Sequence, residues 1–456
     1  MNREARFGLT TLTCVVIASM IGSGVFTTSG YSLSSLGSPG RVLIAWCVGG
    51  CVALCGAIAY GELARRLPVS GGEYLYLSRQ MHPFAGFLAG WVSLTAGFSG
   101  AIAMAAITFE AYAVPQEIRP AWLAPNAVAV STILVFGLGH AFLVRLFAAI
   151  QNSVVGIKLF ALTAFLVVAA VRVASHTWHW TPLNPDLPPF WSRTSILAMS
   201  GSVMWISLSY AGFNAAVYIA SEVKDAERNV PKSLWLGTAL VTVLYVLLNA
   251  VFVTAAPASQ ISGQKQIAAI AAAEIGGNSL EMLIRAAISL GTLSSVAGMI
   301  MTGPRVLSRM ADDGVFPGMF RTGPHSISRT VLLQTAIAAG LVVVSNLEAL
   351  LGYLSLTLAL SSAVTVMTLL LPDRNLSVFS SPRQSVVITV CAIAYAGSTL
   401  IIAVLMSIDD PKDLIAAGFT LLIGGVLWLI TGRASGEGST PLGAVDSDPP
   451  GSPSEP

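Results

Sequence analysis

Charge is scarce in this chain. Of its 456 residues only 10% are Asp, Glu, Lys or Arg, and 54% are hydrophobic, whereas a soluble globular protein carries about 25% charged residues. That shortage excludes an ordinary soluble domain. Basic tracts are missing too: the net charge is +2, and no Lys/Arg run suits nucleic acid. The short alternating segments of a transmembrane barrel are absent. Cysteine is rare. Cys14, Cys47, Cys51, Cys55 and Cys391 all lie in apolar runs, so no disulfide framework is expected. Cys47, Cys51 and Cys55 share one helix face and read as a stripe of small packing residues; the alternative is a metal or redox site. No HExxH pair and no GxSxG elbow occurs, which argues against a membrane hydrolase. No metal, cofactor or enzyme activity is expected. The opening "MNREARFGLT" is too short and too charged for a cleavable signal peptide.

What the chain does have is long apolar runs from end to end. Each main run can supply the roughly 20 residues that cross a bilayer core. Twelve spans are expected, at 9–35, 41–64, 83–113, 123–143, 151–172, 195–221, 233–256, 279–303, 330–346, 348–371, 384–407 and 413–432. The fold class is therefore an all-α polytopic membrane protein. Residues 433–456 are rich in Pro, Gly and Ser and are expected to be a disordered tail. With the N-terminus (1–8) in the cytoplasm, sixteen Lys and Arg fall on the inner side and seven on the outer. The inner set is Arg3, Arg6, Arg65, Arg66, Arg79, Arg145, Lys224, Arg228, Lys232, Arg305, Arg309, Arg321, Arg329, Arg374, Arg383 and Arg433. This excess puts both termini in the cytoplasm.

Two spans are interrupted. "MIGSGVF" (Met20–Phe26) breaks the first, and "SYAGFN" (Ser209–Asn214) breaks the sixth. Glycine costs a helix interior roughly 1 kcal/mol relative to alanine. The breaks lie five spans apart, so the two segments enter the membrane from opposite sides. Such pairs are the best sequence pointer to a transporter site at the midplane. The implied plan is two inverted repeats, 9–172 and 195–371, with helices at 384–432 added.

Non-helical backbone survives in a membrane only where it is buried in protein or lines a cavity. The second half-helix of a broken span offers N–H groups, which suit a carboxylate. The first half offers carbonyls, which suit a cation. Together they fit a zwitterion, and the commonest small zwitterion is an amino acid. Gly22 and Gly24 let a ligand approach the backbone, and Ser23 adds a hydroxyl. Helix packing by Gly and Ser is the competing explanation; the second break weakens it.

Four separated stretches extend this picture. "IGSGVF", "GELARRLPVSGGEYLYL" (Gly61–Leu77), "ASEVKDAERNVPKSL" (Ala220–Leu234) and "GPRVLSRMADDGVFP" (Gly303–Pro317) resemble, in order, motifs of the amino acid–polyamine–organocation (APC) transporter superfamily. The resemblance covers the chain to about residue 432. It implies a LeuT-like five-plus-five inverted repeat and alternating access. It implies a substrate carboxylate on the N–H groups of Ser23 and Gly24, near Gly22. It also implies an α-amino group against carbonyls around Met20 and Ile21 and around Leu208 and Ala211.

Two departures bear on substrate. Many relatives carry an aromatic gate where this chain has Leu208; Trp205 or Tyr210 can substitute. Many carry an acid where Asn214 stands. A neutral amino acid fits better than a cationic one. Lys158 interrupts "NSVVGIKLFALTAFLV" in the fifth span, and a charge there is a functional hypothesis by default. In several relatives a lysine at this place resembles a built-in cation. Loss of its proton on desolvation would couple transport to protons. The alternative is a lysine snorkelling to the cytoplasmic edge.

Other polar residues are weaker candidates. Ser289, Thr292, Ser295, Tyr353 and Ser355 are candidates to line the pocket or pack helices. Glu62, Glu73, Glu222, Asp225, Arg305, Asp312 and Asp313 sit in the cytoplasmic motifs and are expected to hold the inner gate and links together by ion pairs, with a solvated rim the alternative for Glu73 and Asp225. Glu110 is expected at the outer end of span 3, in a vestibule or in solvent. His176 and His179 flank Trp178 as an interfacial anchor rather than a metal pair. The expected function is a secondary amino acid transporter in the cell (inner) membrane, with proton symport preferred and an amino acid or polyamine exchanger the alternative. Its partners are a small-molecule substrate, protons and the lipid bilayer. A transport-fold sensor or a subunit of a larger complex is the rival, against which stand the short termini and the lack of an outer-loop cysteine.

Overall fold

The computed structural model describes residues 7–115, 118–142, 144–323, 326–371 and 386–431. The segment 1–6 and the tail 433–456 lie outside the described residues, as do Arg3, Arg6, Arg374, Arg383 and Arg433 of the charge count; of Arg145 only the backbone is described.

The regular structure of the described residues is helical. Its only β-type pairing is an isolated bridge between Phe7 and Val223. There the Phe7 N–H donates to the Glu222 carbonyl at 3.1 Å, and the Lys224 N–H donates to the Phe7 carbonyl at 3.0 Å. The first span forms as α1 (Leu9–Met20), a 3₁₀ turn (Gly24–Phe26) and α2 (Thr28–Leu36). Next come α3 (Pro39–Arg66), α4 (Gly72–Gln80), α5 (Pro83–Val92) and α6 (Ala101–Ala113). A π-helical turn at Ser93–Gly100 joins α5 to α6. The first half closes with α7 (Ala127–Phe142) and α8 (Val144–Val171). The remainder comprises α9 (Arg193–Tyr210), a 3₁₀ stretch (Ala215–Glu222), α10 (Ala226–Thr254), α11 (Ala258–Ile261) and α12 (Ile267–Asp312). It ends with α13 (Ser326–Val344), α14 (Leu347–Met367), α15 (Val386–Asp409) and α16 (Lys412–Thr431).

Local chemistry sets these boundaries. Pro39 and Pro83 occupy first turns, where a missing N–H does no harm. The Ser192 and Asn346 side chains accept N–H bonds from Ser195 and Ala349 at the starts of α9 and α14, as good N-caps do. Within the spans, Thr108, Thr238 and Thr335 donate to carbonyls one turn back, which lets hydroxyls exist without water.

Nine helical segments among the described residues are long and apolar enough to cross a membrane. Leu9–Met20, Ala127–His140 and Gly156–Val171 are shorter apolar helices. The structure departs from the expected spans in the links. A helix, α4, forms inside the expected link 65–82. The helix α12 begins twelve residues before the expected 279, and Gly277, at φ +67°, bends it close to that point. The extra stretch forms because Ile267, Ala268, Ala269, Ala271, Ala272 and Ile275 are all buried.

The helix α10 packs on α3 and α1, while α12 packs on α6 and α8. One large core joins α1, α3, α9, α10 and α15, and a second joins α6, α7, α12, α13 and α14. By contrast, α16 leaves Phe419, Leu422, Leu429 and Ile430 exposed, the composition of a lipid-facing rim. The cysteine stripe is corrected here. Cys47 and Cys51 are exposed on α3, and Cys55 is part-buried against Cys391 of α15. The stripe's outer members face away from the core instead of packing in it.

Candidate functional site

Both helix interruptions fall inside the quoted motifs, and the fold brings them into contact. The first helix stops at Met20, and Ile21 leaves helical geometry at ψ 80°. The helix α9 stops at Tyr210, with Ala211 at ψ 145° and Gly212 at φ +96°. At Gly212 only glycine fits on two counts. The positive φ is unfavourable for any Cβ, and a Cβ there would lie 2.8 Å from the Ser19 carbonyl oxygen. On the other side of the contact, a Cβ on Gly24 would lie 2.5 Å from Ser209 Oγ and 3.1 Å from Ser209 Cα. The hydroxyls of Thr28 and Ser209 meet at 3.3 Å. The two broken segments thus touch backbone to backbone.

The broken ends expose the expected groups unequally. Among the described residues, the N–H groups of Ser23 and Gly24 make no turn or loop hydrogen bond to backbone. The carbonyls before the break are busier. Met20 O accepts from the Gly22 N–H at 2.7 Å and from the Tyr245 hydroxyl at 2.6 Å. A carbonyl has two lone pairs, so Met20 O is saturated here. Ile21 O accepts from Lys158 Nζ at 2.5 Å and keeps one lone pair. Leu208 O accepts from the Ala211 N–H at 3.1 Å.

Lys158 is 4% exposed. Its ammonium ends on the first break and does not run out along α8, so the snorkelling alternative does not describe it. Among the described residues no carboxylate is paired with it.

A cavity of about 1470 Å³ surrounds the meeting point. Met20, Gly22, Ser23, Gly24, Lys158, Leu208, Tyr210, Ala211, Asn214, Ser295 and Ser355 line it. Five sequence candidates do not: Ile21, Trp205, Ser289, Thr292 and Tyr353. Each has a physical reason or a different place. Ile21 turns its side chain into the core, at 0% exposure. Trp205 stands edge-on to Tyr31 with ring centroids 6.4 Å apart. The Tyr353 hydroxyl meets Thr420 of α16 at 2.8 Å. Thr292 bonds back to its own helix. Ser289 Oγ is buried with no partner among the described residues. Ser295 and Ser355 line the cavity but also bond to their own helices. Tyr210 is held by the Trp46 carbonyl at 3.2 Å within a stack of Trp46, Tyr210 and Tyr245.

The cavity extends to the links that carry Val69–Tyr74, Ser221–Glu222 and Arg305–Asp312. Tyr31 follows the first break and Trp205 precedes the second, and neither lines the cavity. Among the links, Glu62 takes Arg65 and Arg66 at 2.7 and 2.9 Å. Asp313 accepts from Tyr74 at 2.8 Å and pairs with Arg309 at 3.1 Å. Asp312 holds Thr322.

Glu110 corrects its sequence reading. It is 3% exposed, pairs with Arg119 at 2.5 Å and accepts from the Asn126 and Ala129 N–H groups at 2.9 and 2.8 Å. It fastens the start of α7 and lies in neither vestibule nor solvent. His176 stacks edge-on with Trp178 at 5.0 Å and meets the Ala255 carbonyl at 2.9 Å. No group of metal-binding side chains occurs among the described residues. Tyr245 went unnoticed in the sequence. It is one aromatic in the apolar run "VTVLYVLLNA", with no local signal that its hydroxyl would reach another span.

Comparison with known proteins adds an independent line. A family model for amino acid permeases matches residues 7–429. Human Asc-type amino acid transporter 1 is 25% identical over 376 residues, covering 81% of this chain and 71% of that protein. Human large neutral amino acids transporter small subunit 2 is 27% identical over 374 residues, covering 80% and 69%. Mouse b(0,+)-type amino acid transporter 1 is 26% identical over 307 residues, covering 67% and 62%.

Proposed function

The chain belongs to the amino acid permease family, and on that premise we propose that it is a secondary transporter of neutral amino acids working by alternating access. Family membership makes it a transporter and not an enzyme. One observation carries the rest. Two broken helices meet backbone to backbone beside a buried lysine, inside a cavity.

The unbonded N–H groups of Ser23 and Gly24, near Gly22, take the substrate carboxylate. The α-amino group takes the remaining lone pairs of Ile21 and Leu208 and the Ala211 carbonyl; Met20, already saturated, serves through its position beside them. Side-chain selection falls to Leu208 and Ala211, with Asn214, Ser295 and Ser355 further along the cavity. No acid stands in either break, which supports a neutral substrate. The names of two relatives, Asc-type and large neutral amino acid transporters, agree with that class.

The nine long and three shorter apolar helices support twelve spans. The two breaks support the inverted repeats 9–172 and 195–371 with 384–432 added. The cavity reaches the links that the Lys/Arg excess assigns to the cytoplasm, which supports an inward-open state. Trp205 and Tyr31 close the outer side, and Tyr210 holds the second break. The protein then resides in the cell (inner) membrane. One relative is a transporter small subunit by name; here all five cysteines lie in α1, α3 and α15, which leaves no outer-loop thiol for a covalent partner.

Lys158 is assigned the coupling role, as a cation that must lose its proton or its Ile21 contact for the site to cycle. Exchange is the second reading. It is favoured by the lack, among the described residues, of a carboxylate hydrogen-bonded to Lys158. The test is uptake into proteoliposomes. A labelled neutral amino acid should accumulate under an inward proton gradient, or exchange for internal substrate without one. No uptake and no exchange across a panel of amino acids would overturn the assignment.

A further inference from the structure

Glu73 lies outside the substrate site just described, yet it lines the same cavity. It sits in the first turn of α4, in the link after α3, and is 7% exposed. Among the described residues its three side-chain hydrogen-bond partners are neutral donors, each from a different element. The Tyr60 hydroxyl of α3 donates to Oε1 at 2.6 Å. The Ser361 hydroxyl of α14 donates to Oε2 at 2.6 Å. Asn214 Nδ2, at the end of the second break, donates to Oε1 over a long 3.5 Å.

We propose that Glu73 is a proton-binding site in the cavity floor, and that its ionised form ties the second broken segment to α3, α4 and α14. The ionised carboxylate accepts all three, with charge-assisted bonds on both oxygens. Protonation turns one acceptor into a donor and removes the charge, so a hydroxyl partner must reverse to accept and the remaining ties weaken. The floor then loosens, and the state described here loses stability relative to its alternative. The consequence for transport rests on the reading under Proposed function; the proton site does not.

The surroundings favour titration. Burial pushes the Glu73 carboxyl above the ordinary carboxylate range, and the Ser361 and Tyr60 hydrogen bonds pull it back only in part. The titratable groups facing it from packed elements are the phenols of Tyr60, Tyr218 and Tyr395. The nearest charges on α3, namely Glu62, Arg65 and Arg66, are tied to one another. On its own element, Tyr74 turns to Asp313, and Arg79 lies near the other end. Beyond the second break, Glu222 closes the 3₁₀ stretch. No cation is bonded to Glu73 among the described residues.

The test is infrared difference spectroscopy of the purified full-length protein, titrated between acid and neutral pH. Wild type should show a protonated-carboxyl band that appears on acidification. The Glu73→Gln variant should lose that band. Tyr60→Phe and Ser361→Ala remove donors to the ionised form, so each should move the midpoint upward by about one pH unit or more. These two variants answer the question even if Glu73→Gln does not fold. An unchanged band in Glu73→Gln, or midpoints unmoved in both donor variants, would overturn the proposal. In proteoliposomes, exchange by wild type should vary with pH on the side of the links, and Glu73→Gln should flatten that profile to the acid level. A pH profile in Glu73→Gln identical to wild type would also overturn it. Absence of exchange in wild type would count against the transport reading, while the infrared result would still decide the proton site.

Discussion

Gly24→Ala tests the contact between the breaks directly. The added Cβ would lie 2.5 Å from Ser209 Oγ and 3.1 Å from Ser209 Cα. The hydroxyl can rotate, but the Cα belongs to backbone at the end of α9 and must move with it. Overpacking of this kind costs about 1–3 kcal/mol. If that strain falls on the substrate-binding arrangement, it weakens binding by roughly 5- to 150-fold. Gly22→Ala supplies the control. Its Cβ meets no atom closer than the Met20 carbonyl at 3.9 Å, so the substrate-free protein should be as stable as wild type. Any loss of affinity in that variant then comes from the ligand itself. The assay is ligand-dependent thermal stability of purified protein, since a ligand that binds the folded state raises its apparent stability. Adding Ser209→Gly to Gly24→Ala removes the Oγ and Cβ contacts and should recover more than about 0.5 kcal/mol, the scale of coupling between touching residues. Wild-type affinity and stability in Gly24→Ala would refute the contact between the breaks as the basis of binding, and full recovery in the double variant would assign the clash to the Ser209 side chain instead of its backbone.

Three further outcomes are expected. Lys158→Met should abolish gradient-driven uptake in proteoliposomes; wild-type proton dependence in that variant would remove Lys158 from coupling. Tyr245→Phe takes one of two donors from the Met20 carbonyl, and a buried hydrogen bond is worth about 1 kcal/mol. Its substrate KM should therefore rise about five-fold, measured by initial rates of exchange. Glu110→Gln weakens the tie to Arg119 and to the start of α7. Because Arg119 is partly exposed, a loss of about 1–3 kcal/mol in thermal unfolding is expected, with little change in KM.

Much of the architecture was legible because a membrane span is written in one place. A run of apolar residues needs no distant partner to be recognised, and a glycine pair in its middle shows where it fails. Hence the breaks at Met20–Phe26 and Ser209–Asn214 were found from the residues alone. Contacts between spans were not legible. Nothing around Tyr245 says that its hydroxyl will reach Met20, and nothing near Glu73 names Tyr60 or Ser361 as partners. The family resemblance carried residue roles, but not which lone pairs the protein itself already uses. The saturated Met20 carbonyl shows the difference. The helix at Ile267–Ile275 was also missed, since its alanines read as a loop until the core that buries them is known.

The bridge at Phe7 has a mechanical meaning. Its two hydrogen bonds attach the entry to α1 to the segment that follows the second break. Phe7 is thus a strap from the first broken span to the second, and any shift of residues 222–224 pulls on it. A probe fused ahead of Phe7 would report the travel of the second broken helix, whereas one placed after α16, on the exposed rim, would ride with the outer frame.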